Sequence, residues 1–378
     1  MAGNESEALV REFCAEGAVH LYSSDPIVLT PADLRYASMR PELRDVVTGC
    51  NIYLIACRPR LLIEQGTRFQ EGMLYGRLLV LRGNGWVRVP FEIALPDDVD
   101  AMIEDVEVYT AASGTHIMLE TKDEKKRRYL MPVHRIVAEV KAGLRDEERD
   151  LNVLYIGQAI GSKKPRSAID RLRRHETFQA ILADYHTYHP GREILLLLYR
   201  FENWRVLIST GGDLRLSPVA NEAQERAHLR RMSEASLNRK ECVSLAEAAL
   251  INHFKPLYNK VFKKTDFSLI RRIKTLKSAL REDLTGLVVE ICSMNVGGRL
   301  RTEGCAPGHN DILDSMEAGI RDRVEEGVDA ELYQEMCSDV SRMKHTHFAR
   351  FALTTIQERE TFLHGIVWLD SDERVPFL

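Results

Sequence analysis

The sequence lacks the features of a secreted, disulfide-bonded or membrane-spanning protein. Its seven cysteines are scattered and no two form a CxxC pair, so we expect neither a disulfide framework nor a cysteine zinc site. The longest strongly apolar run, residues 194–199, is far shorter than the ~20 residues of a membrane span and predicts a buried strand. The first residues are acidic and polar, without a basic and apolar leader, so we expect a cytoplasmic protein with no secretory signal and no membrane partner.

The length and composition predict a globular protein, and its charge is unevenly distributed along the chain. The 378 residues, 44% hydrophobic and 29% charged, predict a globular protein of two or three domains. The net charge of -4 is unevenly spread: it is -6 over residues 1–150, +11 over 151–280 and -9 over 281–378. A basic middle between acidic flanks favours contact with a polyanion such as nucleic acid. A solvated basic helix surface explains the charge alone equally well.

Turn and periodicity signals divide the chain into three parts and predict an α+β fold. The strand-rich part, 1–132, contains an Asn-Gly hairpin signal between 77–82 and 86–91, and a second strand pair at 106–109 and 116–120. The middle part, 133–264, alternates strands and helices, and the last, 265–378, mixes both. In the middle we expect strands at 136–140, 153–156, 193–200 and 204–209, the last two paired with each other, and helices at 166–183, 221–239 and 244–254. In the last we expect a basic helix around 269–280, a hairpin within 287–300, helices within 312–343 and a strand at 361–369.

The middle part holds side chains suited to phosphodiester hydrolysis. Tyr155 ends a strand as Tyr-Ile-Gly, and Arg171 and His175 are four residues apart on the predicted helix. Glu247 lies on the next helix, and Asn259 follows it after a proline. A carboxylate binds a hard divalent cation, an arginine clamps phosphate, and a tyrosine or histidine orients or deprotonates water.

The order and spacing of these residues resemble the GIY-YIG nuclease family. The resemblance covers about 130 residues and rests on Tyr155-Ile156-Gly157, then Arg171-x-x-x-His175, then Glu247 followed twelve residues later by Asn259. It implies a small mixed α/β domain around a short antiparallel sheet. The family's first motif, which carries its own tyrosine, is not recognisable: the strand expected before Tyr155 is 135–140, which has no tyrosine. Tyr129 is a substitute if the hairpin is long.

The resemblance also implies roles for these residues. Glu247 would bind Mg²⁺ or Mn²⁺, Arg171 would contact the scissile phosphate, and Tyr155 and His175 would position or deprotonate the attacking water. Asn259 would hold the site together by hydrogen bonds. The basic residues expected to contact nucleic acid are Lys163, Lys164, Arg173, Arg174, Lys255, Lys263 and Lys264.

Several of these residues have other interpretations. Glu247 with Ser244 fits a capping box, in which the carboxylate binds backbone N–H groups rather than a metal. His186 and His189 are three apart, and His345 and His347 share one side of a predicted strand, but neither pair has further ligands at convincing spacing.

The sequence therefore predicts a divalent-metal-dependent endonuclease that hydrolyses DNA by water attack, with RNA as an open alternative substrate. Large acidic flanks suit a regulated effector in bacterial defence, in which they would recognise a partner, restrain the nuclease or build an oligomer. The rival hypothesis is a catalytically inactive GIY-YIG-like module that only binds nucleic acid, because the first-motif tyrosine is missing.

Overall fold

The architecture is a mixture of helices and several sheets, which agrees with the predicted α+β class. The computed structural model describes residues 12–36, 41–83, 85–95, 106–122, 126–140, 143–159, 168–209, 217–261, 283–307, 319–320, 323, 327 and 330–353. No helix in this part of the chain is both long and apolar enough to cross a membrane.

A five-stranded sheet, here called the central sheet, has the order β15-β11-β3-β12-β2. Its strands are β2 (Ile27–Leu29), β3 (Ile52–Pro59), β11 (Leu151–Gln158), β12 (Arg192–Tyr199) and β15 (Leu300–Arg301). All neighbours are antiparallel except β15 and β11. Strands from all three predicted parts therefore meet in one sheet, so the sheet does not follow the divisions at 132 and 264.

The central sheet is covered on both faces, which explains why β3 is apolar without alternation. Ile52, Leu54 and Ala56 pack into one core, whereas Tyr53, Ile55 and Cys57 pack into the other, because successive side chains of a strand point to opposite faces. All six are fully buried. Burying a large apolar side chain of this kind contributes about 1.5–3 kcal/mol, so the middle strand anchors the fold.

Helices on opposite sides of the central sheet position the candidate site. One face packs against α8 (Arg239–Phe254) and the second sheet, and the other packs against α1 (Pro31–Tyr36), α5 (Ala168–Leu172) and α6 (Glu176–Tyr188). The remaining described helices are α2 (Pro41–Val46), α3 (Val133–Glu139), α4 (Asp146–Arg149), α7 (Glu222–Glu234), α9 (Ala330–Lys344) and a 3₁₀ turn at Met294–Val296.

A second sheet, here called the terminal sheet, joins the two ends of the described chain. It has the order β13-β1-β14-β16, with β1 (Glu16–Tyr22), β13 (Asn203–Ser209), β14 (Leu284–Cys292) and β16 (Thr346–Ala352). β1 and β14 are parallel, and the other pairs are antiparallel. Strands from the predicted C-terminal region thus complete a core shared with α8.

Two small sheets are inserted between β3 and β11. One contains β4 (Leu61–Ile63), β5 (Arg68–Gln70), β6 (Met73–Arg82) and β7 (Gly85–Ala94), and the other contains β8 (Val106–Thr110), β9 (His116–Thr121) and β10 (Arg128–Pro132). They share one apolar cluster with α3. The predicted strand pairs β6–β7 and β8–β9 are confirmed.

Four predictions are wrong. Residues 136–140 lie mainly in helix α3 rather than in a strand. β13 pairs with β1 instead of β12, and β14 and β15 belong to different sheets instead of one hairpin. The helix predicted over 166–183 is two helices, α5 and α6, separated by a turn. The predictions for 269–280 and 361–369 lie outside the described residues.

Candidate active site

Two tyrosines on neighbouring strands form the floor of the candidate site. Tyr53 on β3 is the register partner of Gly157 on β11, two residues beyond Tyr155. The ring centroids of Tyr53 and Tyr155 are 6.2 Å apart. A Cβ atom on Gly157 would stand 2.6 Å from the Tyr53 hydroxyl, so glycine is needed where the phenol crosses the strand.

The Tyr53 hydroxyl group is buried without a hydrogen-bond partner of good geometry among the described residues. Burial is the largest cause that raises the pKa of Tyr53, with further contributions from Tyr155 and Glu247, while the nearby Arg171 guanidinium lowers it. Burial also raises the pKa of Tyr155, followed by the charge of Glu247. Both phenols are therefore neutral and are influenced by the same carboxyl and guanidinium groups.

His175 and Arg171 approach from the turn between α5 and α6. His175 is the N-cap of α6 instead of lying on one helix with Arg171, as the sequence had predicted. Its ring centroid lies 4.9 Å from that of Tyr155 and 6.1 Å from that of Tyr53. Arg171, in the last turn of α5, is exposed, and its charge acts on both tyrosines.

The cap fixes the protonation state of His175. Its Nδ1 atom accepts a hydrogen bond from the Phe178 backbone N–H at 3.3 Å, so in the neutral ring the proton is on Nε2. Burial, followed by the charge of Arg171, lowers the pKa of His175. The ring therefore presents a donor to the site and is unsuited to accept a proton from water.

Glu247 comes to the same place from α8. The helix begins at Arg239 and is capped by Asn238 with Glu241, so Ser244 and Glu247 lie inside the helix and the alternative capping box does not form. Burial raises the pKa of Glu247 to about 7, against the lowering effects of hydrogen bonds from Gln158 and the charge of Arg171. Gln158 is the last residue of β11, so the carboxyl group sits beside the Tyr-Ile-Gly segment.

Asn259 closes the site by pairing with β11 through its side chain. Its Oδ1 accepts from the Ile156 N–H and its Nδ2 donates to the Ile156 carbonyl, both at 2.9 Å. The Tyr258 N–H donates to the Leu154 carbonyl at 3.0 Å, which continues the same pairing. The segment after α8 is thereby tied to the strand that carries Tyr155.

We expect Asn259→Ala to lower the free energy of unfolding by about 1–3 kcal/mol, because it leaves the Ile156 N–H and carbonyl unpaired in a buried position. Chemical denaturation followed by circular dichroism measures this loss. Asn203→Ala, at an exposed position, is the matched control and should change stability by less than about 0.5 kcal/mol. Equal effects of the two substitutions would contradict a structural role for the Asn259 amide.

Only part of the basic set predicted to contact nucleic acid falls within the described residues. Arg173, Arg174 and Lys255 are exposed, and Arg173 also donates to the Arg35 carbonyl at 3.3 Å. Lys163, Lys164, Lys263 and Lys264 lie outside the described residues. His186, in the last turn of α6, and His189, its C-cap, are exposed and join no group of potential metal ligands in the part of the chain searched.

A second group of side chains, His253, Cys305 and His347, could hold a metal ion. No cysteine zinc site was expected from the sequence, and His347 was considered only as a pair with His345, because the members of the group lie 52 and 42 positions apart along the chain. Tyr53 was missed for a similar reason: it lies 102 positions before Tyr155, across the inserted sheets. The only local signal for Tyr53 was its place in the apolar run at 51–57.

Comparison of the chain with profiles of protein families, with curated proteins and with solved structures gave no match. The function is therefore argued from the chemistry of the site, because a fold shared with other proteins would not by itself define an activity.

Proposed function

We propose that this chain is a divalent-metal-dependent endonuclease that hydrolyses DNA phosphodiester bonds by water attack, with a site of the GIY-YIG type. The observation that supports this proposal is that Glu247 shares one end of the central sheet with Tyr53, Tyr155, Arg171 and His175. These residues come from β3, β11, α8 and the α5–α6 turn, so the grouping is a product of the tertiary fold.

Tyr53 supplies the tyrosine that the family pattern requires and that the sequence had seemed to lack. It ends the segment Asn51-Ile52-Tyr53 on the strand that pairs directly with β11. The hairpin expected to carry both motifs is thus interrupted by the two inserted sheets between β3 and β11. The rival hypothesis of an inactive module rested on a missing tyrosine, and the position of Tyr53 beside Tyr155 argues against that reason.

The surroundings of Glu247 fit a site for Mg²⁺ or Mn²⁺. Glu247 is half-buried, and its pKa is raised to about 7, so near neutral pH a bound proton or a bound cation is more stable there than an isolated charge. Carboxylate oxygen is the ligand that these hard cations prefer, and they retain several waters. Such a cation would polarise a phosphate oxygen and stabilise the leaving oxyanion.

Arg171 is suited to hold the scissile phosphate. Its guanidinium is exposed at the rim of the site and lies close enough to the buried Tyr53 and Glu247 to shift their pKa values. A planar guanidinium binds two phosphate oxygens at once. We therefore assign the phosphate to the space between the arginine and the carboxyl group.

We assign Tyr53, Tyr155 and His175 the role of positioning the water that attacks the phosphate. The unpartnered Tyr53 hydroxyl can accept from or donate to a water held beside Glu247. His175 donates from Nε2 and orients the neighbouring Tyr155 ring or the water, since its Nδ1 is used by the Phe178 N–H. Because both phenols are neutral and the Nδ1 atom of the imidazole is already used, these three side chains orient the water, and its proton passes to solvent.

Bacterial defence remains the biological role that we attach to this activity, with DNA as the main partner. Partner recognition, restraint of the nuclease or oligomer formation by the acidic flanks is part of the same proposal. The described part of 265–378 supplies β14, β15 and β16 to two sheets. Removal of residues 265–378 would take these strands out of the core. Regulation by this region must therefore be studied on the intact chain.

The test is incubation of the purified chain with supercoiled plasmid and with labelled DNA and RNA in Mg²⁺, Mn²⁺, Ca²⁺ or chelator. We expect nicked and linear DNA in Mg²⁺ or Mn²⁺ and none with chelator. Binding that weakens steeply with salt but never leads to cutting in any metal would support the inactive binding module instead. Preferential cutting of RNA would correct the substrate.

A further inference from the structure

Three potential metal ligands meet where three separate elements join. His253 lies in the last turn of α8, Cys305 follows β15 of the central sheet, and His347 is on β16 of the terminal sheet. The group is buried or half-buried. A cation here would connect the C-terminal end of α8 to both sheets.

The distances between the ligand atoms fit a tetrahedral zinc ion. His253 Nε2 is 3.3 Å from His347 Nδ1, and Cys305 Sγ is 3.4 Å from His253 Nε2 and 3.9 Å from His347 Nδ1. Zn–N bonds of about 2.0–2.1 Å and Zn–S bonds of about 2.3 Å, in tetrahedral geometry, place ligand atoms about 3.3–3.6 Å apart. Two of the three separations match, and the third requires a shift of a few tenths of an ångström.

The surroundings prepare His347 for such a role. Its Nε2 atom lies 2.7 Å from the Leu300 carbonyl, so Nε2 carries the proton and Nδ1 presents a lone pair to the other two ligands. Metal binding would displace the proton of the Cys305 thiol, because the thiolate is the form that binds a metal.

We propose that His253, Cys305 and His347 form a zinc site that is separate from the Glu247 site. His253 follows Glu247 by six residues on α8, which is about 9 Å along the helix axis and about 120° around it. The two side chains thus leave the helix in different directions. Water or one further ligand completes the tetrahedron.

The proposed site would stabilise the position of α8. Next to it, the Thr302 hydroxyl donates to the Phe254 carbonyl at 2.6 Å, and Thr302 and Cys305 form a bridge that shapes the turn after β15. Glu247 lies less than two turns before this end of α8, and Asn259 lies just after it. Loss of zinc should therefore loosen the helix that carries the carboxyl group without removing any group that contacts the phosphate.

Metal analysis of the full-length chain is the direct test. We expect about one zinc per chain after reconstitution with Zn²⁺ and removal of weakly bound metal, both in the wild type and in Glu247→Gln. Cys305→Ser and His347→Gln should each lower the zinc content by at least about tenfold. Cys337→Ser, which changes an exposed cysteine, is the matched control and should retain the full content.

Cobalt substitution adds a spectroscopic measurement of the ligands. The Co²⁺-loaded wild type should show a thiolate-to-cobalt absorption and the visible bands of a tetrahedral site, and Cys305→Ser should lose the first of these. A chain that takes up no zinc or cobalt would overturn the proposal and leave a plain hydrogen bond between the two imidazoles. Retention of zinc by Cys305→Ser would overturn the ligand assignment. Failure of DNA cleavage with zinc retained would contradict the proposed nuclease function alone.

Discussion

Glu247→Gln is expected to reduce the rate of DNA cleavage by about 10³-fold or more, because the loss of the proposed metal ligand would remove several kcal/mol of transition-state stabilisation. The same substitution should leave the fold intact, since glutamine has the same shape and can still interact with Gln158. Single-turnover cleavage of a labelled duplex measures the rate.

In the absence of metal, the Glu247→Gln variant should be more stable than the wild type near pH 8, although it cleaves DNA more slowly. Burial raises the pKa of Glu247 from 4.5 to about 7. The folded wild type therefore binds a proton that the unfolded chain releases, and its stability falls as the pH rises between those two values. The full loss is on the order of 3 kcal/mol, and glutamine avoids it. Denaturation of both proteins in chelator at about pH 8 measures the difference.

Glu234→Gln is the matched control for both measurements. Glu234 is an exposed residue at the end of α7, so neither cleavage nor stability should change appreciably. A Glu247→Gln variant that cleaves within a few-fold of the wild type would contradict the metal-binding role. A Glu247→Gln variant that is less stable than the wild type at pH 8 would contradict the raised pKa of the Glu247 carboxyl group.

Tyr53→Phe is expected to lower the cleavage rate by about 10²–10³-fold, as is typical when a group that orients or deprotonates the nucleophile is lost. The substitution removes only the unpartnered hydroxyl, and the ring still packs over Gly157. Because a buried polar atom without a partner destabilises the fold, the variant should be at least as stable as the wild type. Rates at saturating DNA and the temperature of unfolding measure the two effects.

Tyr188→Phe, at a tyrosine that is 73% exposed, is the matched control and should cleave normally. An unchanged cleavage rate in Tyr53→Phe would mean that, of the two phenols, only that of Tyr155 positions the attacking water. A large loss of stability in Tyr53→Phe would instead show that the hydroxyl has a structural partner. These outcomes separate a catalytic role of Tyr53 from a packing role.

Local patterns in the sequence predicted the strand and the helix that carry Tyr155 and Glu247, but they did not predict the long-range strand pairings. Val153–Ile156 was recognised as a strand and Ser244–Phe254 as a helix, because both have strong local patterns. The strand beside β11 was placed at 136–140, its nearest apolar neighbour along the chain. In the structure that neighbour is a helix, and β3 takes its place across the two inserted sheets.

The same limitation explains the site residues. Tyr155, Arg171, Glu247 and Asn259 could be chosen because the motif fixes their order along the chain. Tyr53 could not, because its relation to Tyr155 depends on a strand pairing that no local pattern specifies. The group of His253, Cys305 and His347 is still harder to predict from the sequence, since each residue alone resembles an ordinary buried or half-buried side chain.

The most direct test of the account is the pH dependence of DNA cleavage at low and at high Mg²⁺ concentration. A proton and a cation compete for Glu247, whose pKa is raised to about 7 in the metal-free protein. We predict that cleavage falls below about pH 7 at low Mg²⁺ and that raising the Mg²⁺ concentration moves this limb to lower pH. A limb that stays in place at every Mg²⁺ concentration, or cleavage that needs no divalent cation, would contradict the account.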